Sequence, residues 1–350
     1  MRIIFVSLLL IAALGLLTYF LAIPANNETI VSDNTQPATE NALTTTEDGS
    51  RAIEVISNLN LPLPGSTPSV DVPVSIPVSE IRQGCFRQDC IPSVDEPVFV
   101  SVSAAREVLA AADSDIGIAL SYNGVDRFYP FAMLATREIV NDTIAGDPVL
   151  VTYCPLCGTG IVYERRVDGE AVEFGVSGML WQSNLLMYNR AESVSDRNLW
   201  SQVLGQAVVG KNTGDRLPIV ASDIMSFAEW AAINPTGQVL DTGSVRDPYA
   251  GEYYRVARQF SPSFDERTSP LDPSEYVYGI ERAGVHKAYP ATALPVGETS
   301  DVVGGEQVVI TKSPEGTVTF TDESGTILPD VEGFWFSWAA AHPNTLLWHN

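Results

Sequence analysis

The chain has 350 residues, of which 45% are hydrophobic and 18% are charged, and this composition excludes a wholly disordered or collagen-like protein. Its 20 basic and 43 acidic residues give a net charge of −23, which repels phosphate backbones, so nucleic acid is not expected as a partner. Four cysteines and three histidines supply few ligands for a large metal cluster.

The N-terminus predicts that the folded part of the protein lies outside the cytoplasm. Ile3 to Ile23 carry no charge, and as a helix they would match the thickness of a bilayer core. Residues 1–25 are therefore interpreted as a membrane anchor with a single N-terminal span, and a cleaved signal peptide is the alternative. The first interpretation gives a membrane-anchored protein and the second a secreted one.

Residues 26–77 are predicted to be a disordered linker. Their first part is acidic and polar and buries too little apolar surface to offset its chain entropy. Leu61 to Pro77 is rich in proline and serine and is expected to run extended. The folded part is expected to start near Val78.

An internal repeat follows the linker. Three blocks recur in the same order, namely 123–130 with 283–290, 141–147 with 300–306, and 227–235 with 335–343. They predict two structurally related halves, which we call the first half (78–240) and the second half (270–350), with a connector at 241–269.

Local signals within each half are mostly those of β-structure. Asn123-Gly124 predicts a tight hairpin turn, because both residues tolerate positive φ. Asp223 to Ala232 is predicted to be an N-capped amphipathic helix, with Phe334 to Ala341 as its counterpart. The predicted fold class is α+β, mostly antiparallel β, in two pseudo-repeated halves.

Two features occur in the first half alone. They are the Cys-Pro-Leu-Cys motif at residues 154–157 and a long insertion at residues 165–216. A duplicated scaffold needs its strands twice but a site only once, so the candidate site is predicted to lie in the first half.

The sequence leaves three interpretations of Cys154 and Cys157 open. A structural disulfide is common outside the cytoplasm. A metal site for Cu or Zn is the second, because two thiolates two residues apart can chelate one ion, and Met179 or Met187 would add a soft ligand that suits Cu(I). A redox pair is the third, although the residues from Gly158 onward predict a strand and not the helix that usually stabilises a thiolate.

The remaining cysteines and the absence of certain motifs narrow the range of possible cofactors. Cys85 and Cys90 are expected to form a small disulfide loop. The sequence contains no Cys-x-x-Cys-His motif, which excludes covalently bound c-type haem, and it contains no nucleotide-binding fingerprint.

Further candidate residues lie before the cysteines and in the insertion. Glu138 and Arg190 join Cys154 and Cys157 as candidates for catalysis. The insertion is expected to fold over the cysteines, with Arg190 paired to Glu138 or Asp142 in a partly buried cleft. The candidates for ligand binding are Arg137, Asn141, Asp142, Ser177, Trp181, Asn184, Tyr188, Trp200 and Gln202.

Four motifs carry a resemblance to a known family. Glu138 to Thr143, Tyr153 to Gly158, Phe174 to Gly178 and Leu199 to Gln202 occur in this order and together resemble the family called domain of unknown function 3179, over roughly residues 92–350. The resemblance implies an extracytoplasmic protein and no particular activity. The chain departs from the family pattern in three places: Arg137 replaces a His, Asn189 replaces an Asp, and residues 192–198 are longer than usual.

Two functions remain as hypotheses. The first is a metal- or thiol-dependent site at Cys154 and Cys157 that takes a metal or a small molecule, whether or not the protein is an enzyme. The alternative is a non-catalytic binding or scaffold module in which the cysteines only cross-link.

Overall fold

The computed structural model describes residues 51–56, 71–109, 111–243, 264–265 and 267–349. The predicted anchor or signal peptide lies outside the described residues, as do most of the predicted linker and connector. Within the described part of the chain, no helix is long and apolar enough to cross a membrane.

Short strands dominate the architecture. In chain order they are β1 (Glu54–Ile56), β2 (Val72–Val74), β3 (Ile81–Gln83), β4 (Val98–Ser101), β5 (Ile116–Tyr122), β6 (Val125–Pro130), β7 (Ile139–Ile144), β8 (Asp147–Cys154), β9 (Thr159–Glu164), β10 (Arg166–Val167), β11 (Glu170–Ala171), β12 (Phe174–Trp181), β13 (Asn184–Asn189), β14 (Leu199–Ser201), β15 (Gln206–Val209), β16 (Ile219–Val220), β17 (Asp223–Ser226), β18 (Gln238–Asp241), β19 (Tyr276–Arg282), β20 (Val285–Pro290), β21 (Gly297–Val303), β22 (Glu306–Lys312), β23 (Val318–Thr321), β24 (Ile327–Leu328), β25 (Val331–Phe334) and β26 (Leu346–Leu347).

The described helices are few and short. They are α1 (Val102–Val108), α2 (Phe131–Leu134), α3 (Phe227–Ile233) and α4 (Trp335–Ala341), with 3₁₀ turns at Val78–Glu80 and Val194–Asp196. Strands therefore make up most of the regular structure, and the predicted α+β class with mostly antiparallel β-structure is confirmed.

The strands form four sheets and one small ribbon. Their orders are β1-β2-β15-β14-β13-β12-β3, β26-β20-β19-β25-β9-β8-β7 with β16 also on β9, β17-β5-β6-β18-β4, β21-β22-β23-β24, and the ribbon β10-β11. Nearly all neighbours are antiparallel, and the parallel strand pairs are β18 with β6 and β20 with β26.

The same pairing order occurs in both predicted halves. The order β17-β5-β6-β18, with α3 between β17 and β18, has its counterpart in β25-β19-β20-β26, with α4 between β25 and β26. Likewise β7-β8-β9-β16 corresponds to β21-β22-β23-β24. Superposition of the two halves is the direct test of the predicted repeat, which stays a prediction here.

The insertion supplies most of the seven-stranded sheet. Strands β10 to β15 come between β9 and β16 in the chain, and β12 to β15 form the centre of this sheet. Its inner face shares one apolar core with the cysteines and with α4. The insertion therefore lies directly against the Cys-Pro-Leu-Cys motif.

The predicted linker at 26–77 is wrong in its last part. Strand β2 pairs with β1, and Val74 lies opposite Val209, so both strands extend the seven-stranded sheet. Arg51 also donates to the carbonyl oxygen of Ala341 at 2.8 Å. A three-residue strand depends on partners far away in the chain, which local composition does not reveal. The folded part thus begins earlier than the sequence indicates.

Candidate functional site

The two cysteines of the motif lie in a tight turn between β8 and β9. Cys154 is the last residue of β8, and the N–H of Cys157 donates to the Cys154 carbonyl at 3.1 Å. Gly158 has a φ of 61°, a conformation that glycine adopts without strain, and it leads directly into β9. Both cysteines are free thiols and are almost fully buried, with exposed fractions of 2% and 0%. We call them the thiol pair.

The insertion reaches the thiol pair through the turn between β12 and β13, which we call the hairpin tip. Its two residues, Gln182 and Ser183, have φ values of 53° and 62°, as a two-residue hairpin turn of this kind requires. The carbonyl oxygen of Ser183 accepts hydrogen bonds from Cys157 at 3.3 Å and from Cys154 at 3.7 Å. One backbone oxygen thus contacts both thiols.

The hairpin tip is strained and is held from outside. A non-glycine residue in left-handed conformation costs on the order of 1 kcal/mol or more, and the tip contains two. One carboxylate oxygen of Glu80 accepts from Gln182 Nε2 at 2.6 Å and from Trp181 Nε1 at 3.0 Å. These bonds to a charged acceptor stabilise the strained turn over the thiols.

A buried amide and hydroxyl network surrounds the thiol pair. Gln202 accepts from Asn184 at 2.7 Å and from the Thr159 hydroxyl at 3.0 Å, and it donates to the Thr152 hydroxyl at 3.0 Å. Asn184 also donates to the sulfur of Cys157 at 3.6 Å. Because every member is buried, the network fixes the turn and the hairpin tip relative to each other.

The electrostatics of Cys154 combine opposing effects. Burial raises the pKa of its thiol well above the ordinary value, and the neighbouring Cys157 raises it further. The backbone N–H groups of Leu185 and Cys157 act in the opposite direction, because they donate to the Cys154 sulfur and stabilise its anion. The site therefore favours the protonated thiol but offers donors to a thiolate once it forms.

Glu138 is the carboxyl group close to Cys154. Burial raises the pKa of Glu138 well above its ordinary value, and repulsion by a negative charge on Cys154 adds to the shift. Its backbone has a φ of 59°, and its carbonyl accepts from the N–H of Tyr153 at 2.8 Å, beside the end of β8. The residue as a whole is half-buried, whereas its carboxyl group lies in a buried environment beside the thiol.

The second half forms one wall of the site. The N–H of Phe334 donates to the Cys157 carbonyl at 2.9 Å, and the Phe334 ring lies against Gly158. Gly333 lies so close to Thr159 that no Cβ would fit there. Strand β25 and the start of α4 therefore cover the cysteine turn.

Arg190 lies elsewhere, and its predicted pairing with Glu138 or Asp142 is wrong. It contacts Asp95 at 2.6 Å and Asp89 at 3.3 Å instead. Although burial opposes the charge, these carboxylates hold the pKa of Arg190 above its ordinary value. Arg190 follows the end of β13 furthest from the hairpin tip, six residues or about 20 Å from Asn184.

The residues around Arg190 form a separate polar group. Tyr188 donates to Asp89 at 2.6 Å, and Asn141 donates to Asp95 at 2.8 Å. Two adjoining clefts, each of about 430 Å³, meet at Arg190. Tyr188 and Asn141 thus belong with Arg190 and not with the thiol pair.

Most other predicted site residues have structural contacts. Asp142 pairs with Arg127 and accepts from Tyr129, and Ser177 bonds across the bulge of β12. Arg137 follows α2 and donates its N–H to the Leu134 carbonyl. Trp200 donates to Asn189 at 3.2 Å. Of the predicted ligand-binding residues, Asn184, Gln202 and Trp181 lie at or beside the thiol pair or the hairpin tip.

The predicted metal ligands are only partly brought together. Met187 lies three ladder positions from Asn184, about 10 Å along β13, and Met179 lies opposite Leu186. Among the described residues, no group of three or more His, Cys, Asp or Glu side chains is arranged to hold a metal ion. The donor set at the site is therefore two thiols.

The other two cysteines form a disulfide, as expected. Cys85 and Cys90 are bonded with their Cα atoms 6.4 Å apart. Their loop is fixed to the bulge of β12, because the N–H groups of Gly84 and Cys85 donate to the Gly178 carbonyl at 2.9 and 3.0 Å. This disulfide secures the base of the β12–β13 hairpin.

Sequence reasoning missed several residues of the site. Ser183 acts through its carbonyl oxygen, which no side-chain pattern reveals, and Glu80 comes from the predicted start of the fold, far from the insertion in sequence. Thr159 could have been found, because Gly158-Thr159 has a counterpart in Gly316-Thr317 of the second half.

Comparison with known proteins identifies the family. The model of the family described as protein of unknown function (DUF3179) matches residues 88–328. The chain belongs to this family. No curated protein and no solved structure matches this chain. The DUF3179 match includes the thiol pair, the hairpin tip and the amide network, whereas α4 follows its end.

Proposed function

We propose that the thiol pair is a redox-active dithiol–disulfide couple in a domain outside the cytoplasm. The observation that supports this most is the sharing of one acceptor, because both thiols donate to the Ser183 carbonyl oxygen at 3.7 and 3.3 Å. Two thiols at one oxygen in a Cys-x-x-Cys turn are near enough to join after small side-chain rotations. Two thiols are also all that this chemistry needs.

The reaction is thiol–disulfide exchange. The Cys154 thiolate attacks one sulfur of a disulfide oxidant, forms a mixed disulfide and releases the other sulfur as a thiol. The Cys157 thiolate then attacks the mixed disulfide, which forms the Cys154–Cys157 bond and releases the second thiol. Two protons and two electrons leave the thiol pair, and the oxidant is reduced to two thiols. The reverse sequence reduces a disulfide substrate.

Cys154 is the attacking residue in this proposal. The N–H groups of Leu185 and Cys157 donate to its sulfur and stabilise the thiolate. Its raised pKa requires a base, and Glu138 is the nearby carboxyl; because burial raises its own pKa well above the ordinary value, its carboxylate is a stronger base than an exposed one. Because the residue as a whole is half-buried, it can pass the proton to solvent.

Access to the buried sulfurs requires the hairpin tip to move. Two left-handed residues make the closed tip costly, and the hydrogen bonds that Trp181 and Gln182 donate to Glu80 offset that strain. Opening the tip removes the Ser183 carbonyl from the thiols and exposes them to a disulfide. This makes the site a gated one.

The extracytoplasmic location has two supports. The first is the uncharged N-terminal stretch, which predicts an anchor or a signal peptide. The second is the Cys85–Cys90 disulfide, since such bonds persist mainly in oxidising compartments. Fractionation of cells is the test of location, and full-length chain recovered free in the cytoplasm would contradict it.

Thiol counting on the purified full-length chain tests the chemistry. Treatment with oxidised glutathione should remove two titratable thiols and release two molecules of reduced glutathione, and dithiothreitol should restore both thiols. Cys154→Ser should abolish this cycle. Glu138→Gln should slow it at least tenfold, whereas Glu170→Gln, an exposed carboxyl in β11, should not.

Two outcomes would overturn the proposal. A thiol pair that never forms its disulfide on oxidation, or one whose disulfide is never reduced, would favour the non-catalytic scaffold. Stoichiometric Zn or Cu bound to the full-length chain and lost in Cys154→Ser, without any disulfide form, would favour a metal site.

A further inference from the structure

The side-chain amide of Asn184 contacts one of the two sulfurs directly. Its nitrogen lies 3.6 Å from the Cys157 sulfur and donates a hydrogen bond to it. Asn184 is the first residue of β13, directly after the hairpin tip, and it is 1% exposed. Cys157 is 0% exposed, so the contact is closed to bulk water.

The partners of Asn184 fix the direction in which its amide faces. The amide nitrogen donates one hydrogen to the side-chain oxygen of Gln202 at 2.7 Å and the other to the Cys157 sulfur. The amide oxygen accepts from the backbone N–H of Val203 at 2.9 Å. Because a backbone N–H can only donate, the oxygen must face Val203 and the nitrogen must face the sulfur.

The same partners hold Asn184 independently of the hairpin tip. Gln202 and Val203 follow β14, and the N–H of Gln202 also donates to the carbonyl of Leu185, the next residue of β13, at 3.0 Å. Movement of the tip takes the Ser183 carbonyl away from the sulfurs, whereas these bonds keep the Asn184 amide in place. The donor is therefore present when the thiol pair reacts.

We propose that Asn184 is a catalytic residue of the exchange reaction and stabilises negative charge on the Cys157 sulfur. When the disulfide closes, the Cys157 thiolate attacks the Cys154 sulfur, and the substrate sulfur leaves with the electron pair of the bond that breaks. When the disulfide opens, a substrate thiolate attacks Cys154, and the Cys157 sulfur takes the electron pair. In both directions the charge passes through the sulfur that Asn184 contacts.

The amide contributes more to a thiolate than to a thiol. The Cys157 thiol donates its own hydrogen to the Ser183 carbonyl at 3.3 Å, whereas a thiolate has no hydrogen and needs donors. A hydrogen bond to a charged acceptor is also stronger than one to a neutral acceptor. Asn184 therefore stabilises the charged sulfur more than the thiol or the disulfide, which lowers the barrier between them.

This inference rests on the proposed exchange reaction and separates the roles of the two sulfurs within it. Cys154 receives backbone donors, from Leu185 and Cys157, whereas Cys157 receives the side-chain donor of Asn184. Loss of that donor should therefore affect the steps in which Cys157 is charged and spare the attack by Cys154.

Two rates measured on the full-length chain test this separation. The first is the rate at which reduced glutathione opens the Cys154–Cys157 disulfide, with Cys157 as the leaving group. Asn184→Asp should lower this rate about tenfold, because one hydrogen bond to a charged sulfur is lost. The second is the rate at which oxidised glutathione modifies Cys154 in a Cys157→Ser background, and Asn184→Asp should leave it unchanged.

Aspartate is the replacement of choice because it keeps the shape of the side chain. A protonated carboxyl has one hydrogen, which suits Gln202, and a second oxygen, which suits the N–H of Val203, so nothing remains to donate to the sulfur. An ionised carboxyl would repel the Cys157 thiolate and slow the same step. Asn184→Ala adds no charge and should lower the same rate, and it replaces Asn184→Asp if that variant does not fold.

Asn141→Asp is the matched control. Asn141 is another buried asparagine in a strand that donates two hydrogen bonds and accepts one, to Asp95 and to both backbone groups of Phe174, each at 2.8 Å. It does not contact the thiol pair, so its replacement should leave both rates unchanged.

The possible outcomes distinguish the inference from the reaction on which it rests. An opening rate within twofold of the wild type, or an equal change in both rates, would overturn the role of Asn184 while the exchange reaction stands. A wild-type chain that never forms the Cys154–Cys157 disulfide would overturn the proposed function and the inference together.

Discussion

Gln202 is the residue on which the buried network around the thiol pair depends most. Its side-chain oxygen accepts two hydrogen bonds, from Asn184 at 2.7 Å and from Thr159 at 3.0 Å. Gln202→Leu keeps the approximate shape of the side chain but leaves both donors unpaired in a fully buried place. Each buried donor without a partner costs about 1–3 kcal/mol, so the loss of two should lower the unfolding free energy by about 2–6 kcal/mol.

Urea unfolding of the reduced protein measures this loss directly. Gln206→Leu is the matched control, because Gln206 lies in the neighbouring strand β15 and donates to a single carbonyl, that of Gly214, at 2.9 Å. Its replacement should cost about 1 kcal/mol. Both variants should leave the dependence of free energy on urea unchanged, since neither alters the surface exposed on unfolding.

Equal losses in the two variants would refute the reasoning. A loss below 1 kcal/mol for Gln202→Leu would refute it as well, because the network would then contribute no more than an ordinary surface bond. If the network does fix the hairpin tip, Gln202→Leu should also raise the rate at which the thiol pair reacts with an alkylating reagent.

Local signals in the sequence predicted local structure well. Asn123 and Gly124 both have positive φ and join β5 to β6, as the hairpin motif indicates. The second helix occurs at Trp335–Ala341, within one residue of the prediction. These features depend on the conformational preferences of adjacent residues, which the sequence shows directly.

The first helix shows where local reasoning ends. Residues Asp223–Ser226, predicted to be helical, form β17 and pair with β5, and α3 begins only at Phe227. Ser226 is the cap, because its hydroxyl accepts from the N–H of Glu229 at 3.2 Å. Pairing with a strand that lies about a hundred residues earlier replaced one turn of the predicted helix, and no local pattern contains that information.

The candidate site was predictable in its centre and not in its surroundings. The motif indicated the thiol pair, and the insertion indicated Asn184 and Gln202, because polar residues in an otherwise apolar strand need buried partners. Arg190 was misplaced because the sequence does not show that β13 carries it away from the hairpin tip.

Three further predictions concern the surroundings of the site. Glu80→Ala removes the acceptor that holds the hairpin tip and should raise the alkylation rate of the thiol pair at least tenfold, and an unchanged rate would show that the tip does not limit access. Replacing Cys85 and Cys90 by serine opens a short loop and should lower the unfolding free energy by about 2 kcal/mol in urea titrations, and no loss would mean that the loop is held by its backbone bonds alone. The third concerns Asp223, where burial, followed by the charge of Glu229, raises the pKa to about 6. The folded protein therefore binds this proton more tightly than the unfolded chain, so the stabilisation is complete below the ordinary pKa of 3.8 and is lost as the pH rises through 6. Asp223→Asn should flatten the fall in unfolding free energy between pH 4 and 7 and be more stable than the wild type at pH 7, by at most about 3 kcal/mol, and parallel pH profiles for the two proteins would refute the assignment.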